Sequence, residues 1–199
     1  MSTPRSSSVV WGLSLRDRLV IALVGALIVA AKFYLRIPIR VPGHSGLFWM
    51  ALLIIGTGAV GKRGAGTLIG LVSAVLASIF LPGSEGPLVG IKYFVPGLLT
   101  DVLTPLLGGR LDSPLTATVV GAAANMSKLA ASYLIGRAMG ISAGYLALGL
   151  GVSAVTHLVF GGLGGLAGSL VLGRLRRAGV AAPAPSAGSA VPARLEDAS

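Results

Sequence analysis

Cysteine is missing from all 199 residues, which excludes disulfides and thiolate-ligated metals. Charge is scarce: Asp, Glu, Lys and Arg make up 11% of the chain, and only six of them are acidic. The two histidines, His44 and His157, lack the HExxH spacing of a metalloprotease. One serine, Ser142, sits in a Gly-x-Ser-x-Gly pattern (Gly140-Ile141-Ser142-Ala143-Gly144), but no strand precedes it to make a nucleophile elbow, so no catalytic set emerges and no enzyme is expected. No cofactor or resident metal is expected either. There is no convincing internal repeat, and so no support for an inverted-repeat transporter. A nucleotide site is lacking as well. Gly56 to Lys62 has the Gly-x4-Gly-Lys spacing of a phosphate loop, but Arg63 stands where Ser or Thr should hold magnesium and no strand precedes it. If ATP drives this protein, another subunit hydrolyses it. The net charge of +10 could suggest nucleic acid. Most of the cations flank apolar runs, however, and no soluble basic domain is present to hold a duplex.

What fills the chain is hydrophobic: 54% of residues, with 30 glycines. Six long apolar stretches read as 19–35, 45–60, 64–81, 87–107, 114–136 and 143–173. Several reach the ~20 residues that cross a hydrocarbon core about 30 Å thick. The shorter second and third can still span with flanking help. The runs are continuous rather than alternating, so they are helices. The expected architecture is an all-α, multi-pass integral membrane protein with six transmembrane helices in one compact bundle. Residues 1–14 read as a flexible N-terminus, 15–177 as the six-helix domain and 178–199 as a disordered cytoplasmic tail. Arg16 and Arg18 precede the first run as in a signal peptide, but its length and the spans that follow favour a retained helix.

Orientation follows from the cations. With the N-terminus inside, and leaving out Lys128 within a helix and Arg194 in the distal tail, nine Lys and Arg fall on the inner side and five on the outer: Lys32, Arg36, Arg40, Lys92 and Arg137. The bias puts both termini and the Lys62–Arg63 turn in the cytoplasm. Five outer cations are many, and cations kept against the rule can serve a ligand.

Small residues recur every four positions at Ala22, Ala26 and Ala30, a smooth face along the first helix. It could receive an external partner or pack inside the bundle. Gly161, Gly165, Ser169 and Gly173, widened by Gly162, Gly164 and Gly168, favour tight packing inside the bundle. Polar groups within the spans carry most of the functional signal, because a central charge costs roughly 2.5–3.5 kcal/mol on insertion scales. Asn125, Lys128 and Ser132 share one face; Ser153, His157 and Gly161 share another; Tyr93, Gly97 and Asp101 make a third. Lys128 could hold a ligand or be neutralised by Asp101, although their levels differ by roughly 12 Å. Asn125 could bind ligand or bridge two helices. His157 could bind ligand or be a satisfied buried histidine. The segment from Leu35 to Gly46 carries Pro38, Pro42 and His44 and has the makings of an outer lid, or of a plain connector. Trp49 and Tyr145 serve as interfacial anchors or as stacking surfaces.

These features together resemble the substrate-binding S components of energy-coupling factor (ECF) vitamin transporters. The resemblance covers about residues 16–176. It rests on six spans in under 200 residues, on Ala22/Ala26/Ala30, and on the proline-bearing first outer loop. Lys62-Arg63-Gly64-Ala65, Gly86-Pro87-Leu88-Val89 and Gly97 are most similar to the hydroxymethylpyrimidine or thiamine branch. Pro42-Gly43-His44-Ser45-Gly46 is similar to the metal-uptake branch, but no carboxylate stands near His44. The resemblance implies a plasma-membrane subunit that captures a vitamin or precursor outside. It docks through Ala22, Ala26 and Ala30 on a membrane coupling subunit, and two cytoplasmic ATPases drive release. It places the ligand among the outer halves of helices four to six. The expected ligand is a small heteroaromatic molecule held by Lys128, Asn125 and His157, with Tyr93 or Trp49 giving a ring face. Lys92, Arg36, Arg40 and His44 surround the mouth. The rival readings are a membrane scaffold or assembly subunit without transport, and a metal-ion-uptake S component.

Overall fold

A computed structural model describes residues 12–34, 44–81 and 83–182. Six long helices carry the chain: α1 (Leu15–Tyr34), α2 (Gly46–Val60), α3 (Ala65–Phe80), α4 (Ile91–Leu106), α5 (Pro114–Ala138) and α7 (Leu150–Arg177). A six-residue helix, α6 (Ala143–Leu148), precedes α7, and a 3-10 segment (Gly83–Gly90) precedes α4. The sixth apolar run is therefore not one helix, as its composition suggests. It breaks at Gly149, between Gly144 and Gly151, where glycine's poor helix propensity concentrates. The fourth run likewise begins as 3-10, because Gly86 adopts φ 57° and Pro87 follows it.

Local chemistry sets the ends. Ser14 and Asp17 form a reciprocal capping box at the start of α1: the Asp17 amide donates to Ser14 Oγ, and the Ser14 amide donates to Asp17 Oδ2 at 2.9 Å. Gly61 and Gly64, at φ 65° and 85°, turn α2 into α3 and leave Lys62 and Arg63 exposed. Pro114 opens α5 at a position where its missing N–H costs nothing.

The start of α3 is capped from another helix. Asp101 on α4 accepts from the Gly66 amide at 3.1 Å, and from both the Thr67 amide and its hydroxyl at 2.6 Å. A carboxylate at a helix N-terminus satisfies orphan donors and faces the positive end of the dipole. Asp101 is thereby occupied at the end of the bundle away from Lys128.

Glycine lets the helices approach at backbone distance. A Cβ on Gly165 of α7 would lie 2.7 Å from the Ala117 carbonyl carbon of α5, and one on Gly70 of α3 would lie 3.1 Å from Gly97 Cα of α4. Gly164 and Gly168 meet α2 in the same way. The glycine strip of the last helix is thus bundle packing for most of its length, while Gly173 faces open space.

The exterior is apolar. Leu71, Val75 and Ile79 line the outside of α3, Leu19, Leu23 and Leu27 that of α1, and Val152, Val155 and Val159 that of α7, all exposed. Thr100, Asn125, Ser73 and Ser169 are buried inside. Apolar side chains exposed along several helices suit a lipid solvent. Among the described residues, α7 alone is both long and apolar enough by itself to cross a membrane; α2 and α3 are apolar but have 15 and 16 residues.

One end of the bundle gathers ion pairs: Lys62–Asp17 at 2.9 Å, Arg176–Asp112 at 2.7 Å and Arg110–Asp112 at 3.3 Å. Residues 178–182, which the sequence assigns to the tail, fold back across this end. The Ala182 amide donates to the Ala59 carbonyl, Arg16 donates to the Val180 carbonyl, and Ala181 is buried. The remainder of the tail lies outside the described residues.

Candidate functional site

The opposite end of the bundle holds a small pocket. α1 contributes Ile28, Ala31 and Lys32; α2 contributes Phe48 and Trp49, with Ser45 just before it; α4 contributes Tyr93 and α5 Lys128. The spacing explains the convergence. Ile28, Ala31 and Lys32 stand at i, i+3 and i+4, as do Ser45, Phe48 and Trp49, so each trio shares one helix face. The cavity is about 10 Å³, room for about one water. A larger cleft of about 260 Å³ lies on the outer surface between α1 and α3, lined by Ile21, Ala22, Leu68, Leu71, Val72 and Arg18. It is shallow, open and mostly apolar. The small pocket is the better ligand site because cations, rings and hydroxyls converge on it.

The pocket is organised around Lys128. Its Nζ lies 4.9 Å from the ring centre of Trp49 and 5.7 Å from that of Tyr93. Those rings are themselves 6.1 Å apart and tilted by 56°. A cation on two aromatic faces is attracted by their quadrupoles, more strongly where water is excluded. Trp49 and Tyr93 are buried. Among the described residues Lys128 forms no ion pair. The Trp49 indole Nε1 is buried and finds no hydrogen-bond partner there. Lys32, Lys92 and Glu85 are the charged groups close enough to act on Lys128.

The remaining residues expected at the site divide. Asn125 stands behind the pocket, fully buried. Its Nδ2 donates to the His157 carbonyl at 2.8 Å, joining α5 to α7, and Gly46 of α2 lies directly against it. His157 is buried, with Nδ1 2.7 Å from the Ser153 carbonyl of its own helix. Neither lines the cavity. The polar rows of α5 and α7 therefore meet each other, and the cavity opens among α1, α2, α4 and α5 rather than among the last three spans. Lys92 does not line the cavity, and it pairs with Glu85 of the 3-10 segment. His44 lies at the entry to α2 without lining the cavity. Arg36 and Arg40 fall outside the described residues. Ala22 and Ala26 are exposed on the flank of α1, and Ala30 is half-buried.

Sequence reasoning passed over Lys32 as a wall residue, Ser45, Phe48 and the Glu85 partner of Lys92. The i, i+3, i+4 pattern ending at Lys32 and the one ending at Trp49 were the signals available. Which helix faces would oppose each other was not.

Six long helices surround a small pocket of rings and cations near one end, and this fold resembles that of an ECF-transporter S component. A solved structure described as a crystal structure of an S-component of ECF transporter matches with a TM-score of 0.60, over 84% of this chain and 87% of that chain. Sequence identity is 15%, so the likeness is one of fold. No protein-family model matches the chain, and no curated protein matches it in sequence.

Proposed function

We propose that this chain is the substrate-capture subunit of an ECF-type importer, a multi-pass protein of the plasma membrane and not an enzyme. It binds a small heteroaromatic vitamin or vitamin precursor from the outer side. The observation that carries the reading is the pocket where Lys128 rests on Trp49 and Tyr93, set at one end of an S-component fold. Both termini and the Lys62–Arg63 turn face the cytoplasm, in keeping with the ion-paired basic end. The exposed Ala22 and Ala26 offer a smooth strip to a coupling subunit, and the neighbouring cleft against α3 receives side chains of that partner. Two ATPases bound to the coupling subunit supply the energy that this chain has no motif to harvest.

The test is purification of the full chain from its native membrane, followed by mass spectrometry of any retained small molecule and by uptake of that molecule in cells carrying the energising subunits. A retained heteroaromatic compound whose uptake needs this chain is expected. A chain that retains nothing and whose deletion changes no uptake would return the scaffold reading to first place.

A further inference from the structure

The pocket's polar chemistry is weighted towards donors. Lys128 and Lys32 bring ammonium groups and Trp49 brings an indole N–H, while the hydroxyls of Ser45 and Tyr93 can give or take. Among the described residues no carboxylate lines the cavity, and the nearby acid, Glu85, is held by Lys92. The Trp49 N–H is buried without an acceptor among the described residues. A buried donor left unmade is costly. Such a site is complete only when something in it accepts.

Space makes a second demand. A cavity that holds a single benzene ring is about 150 Å³, and this one holds about 10 Å³. The surfaces best suited to a planar ring, the faces of Trp49 and Tyr93, are covered by the Lys128 ammonium. Lys128 is a long, flexible side chain that can withdraw without moving a helix.

We propose that the ligand carries a compact anionic group, a carboxylate or phosphate, which takes hydrogen bonds from Lys128 and from the Trp49 indole. Lys128 leaves the two ring faces to reach that anion, and the ligand's ring takes its place. Lys128 is then both placeholder and selector. A permanently cationic ring would be repelled by the Lys128 ammonium, so the site discriminates by charge as well as by shape. This rests on the capture reading above and adds to it the charge of the captured molecule.

The test uses the full chain in detergent. Trp11→Phe leaves Trp49 as the sole tryptophan, so its emission reports the pocket. The probes are benzoate, benzamide and benzylammonium: one ring with an anionic, neutral or cationic group. Benzoate should change the emission saturably and bind roughly tenfold or more tightly than the other two, as charge-assisted hydrogen bonds imply. Lys128→Met keeps the stem and removes the charge; with unchanged thermal stability it should lower benzoate to the level of benzamide. Trp49→Phe, followed by calorimetry, should weaken benzoate several-fold while keeping a ring. The proposal is overturned if benzamide or benzylammonium matches benzoate, if Lys128→Met keeps the preference, or if no probe alters the emission at millimolar concentration. A neutral or cationic ring retained on purification would also overturn it while leaving the capture reading intact. A chain that retains nothing and on which no uptake depends would instead defeat the capture reading itself.

Discussion

At the scale of single residues, Asp101 and Lys128 have separate tasks. Both are ionisable groups within apolar runs, where opposite charges invite the assumption of a pair. Asp101 instead receives three hydrogen bonds at the start of α3, and Lys128 rests on two rings in the pocket at the opposite end. The variants should therefore separate. Asp101→Ala strips three donors of their acceptor and should cost about 1–3 kcal/mol, read as a lower melting temperature in detergent with ligand affinity unchanged. Lys128→Met should do the reverse. Equal loss of stability in both would mean that they form a unit after all. Asn125 belongs with Asp101: its buried bond to the His157 carbonyl ties α5 to α7.

At the scale of elements, small residues do two different things. On α7 they face inward. Gly165→Val places methyl groups against the backbone of α5, which cannot yield, so folded protein should largely disappear from size-exclusion chromatography. Gly173→Val, on the same helix but with no heavy atom within 4 Å of its Cβ position, should be tolerated. On α1, Ala22 and Ala26 face outward. Ala26→Trp should leave the isolated chain folded and ligand-competent while blocking co-purification with a coupling subunit. A variant that still co-purifies and transports would show that another face docks.

At the scale of the whole molecule, the bundle is polar at its two ends for different reasons. The ion-paired end holds its carboxylates ionised. Burial works against the Asp112 carboxylate, but hydrogen bonds from Arg110 and Arg176 outweigh it and hold the carboxyl below its ordinary range. The Asp17 carboxyl is lowered in the same way: burial opposes, and bonds from Lys62 and Ser14 prevail. A lowered folded pKa means that the unfolded state binds more protons in this window. The stabilisation is therefore fully present above the ordinary carboxylate value of 3.8 and is lost as pH falls through the lower folded value. Melting temperatures taken downward from neutral pH should hold and then drop in acid, and Asp112→Asn should show a shallower drop. Orientation is tested at the same scale. In this cysteine-free chain, Gly43→Cys should react with an impermeant reagent on intact cells and Arg63→Cys should not; the reverse pattern would invert the topology.

The apolar runs, the sparse charge and the continuous rather than alternating pattern were enough to specify a helical bundle built for lipid, because burial and backbone satisfaction act locally along each segment. Glycine and proline also marked most ends, though the break at Gly149 was masked by an unbroken apolar composition. The aromatic and cationic members of the pocket, Trp49, Tyr93 and Lys128, were legible as polar or ring-bearing residues in apolar context. Their meeting was not. Whether Lys128 faces Asp101, His157 or Trp49 depends on the rotation and crossing of five helices about their axes, and small residues permit several such arrangements at similar cost. Only close backbone contact, at Gly165 with α5 and at Gly70 with Gly97, fixes those rotations. Tertiary packing therefore decided that the polar rows of α5 and α7 bind each other, while the walls of the pocket come from α1, α2, α4 and α5.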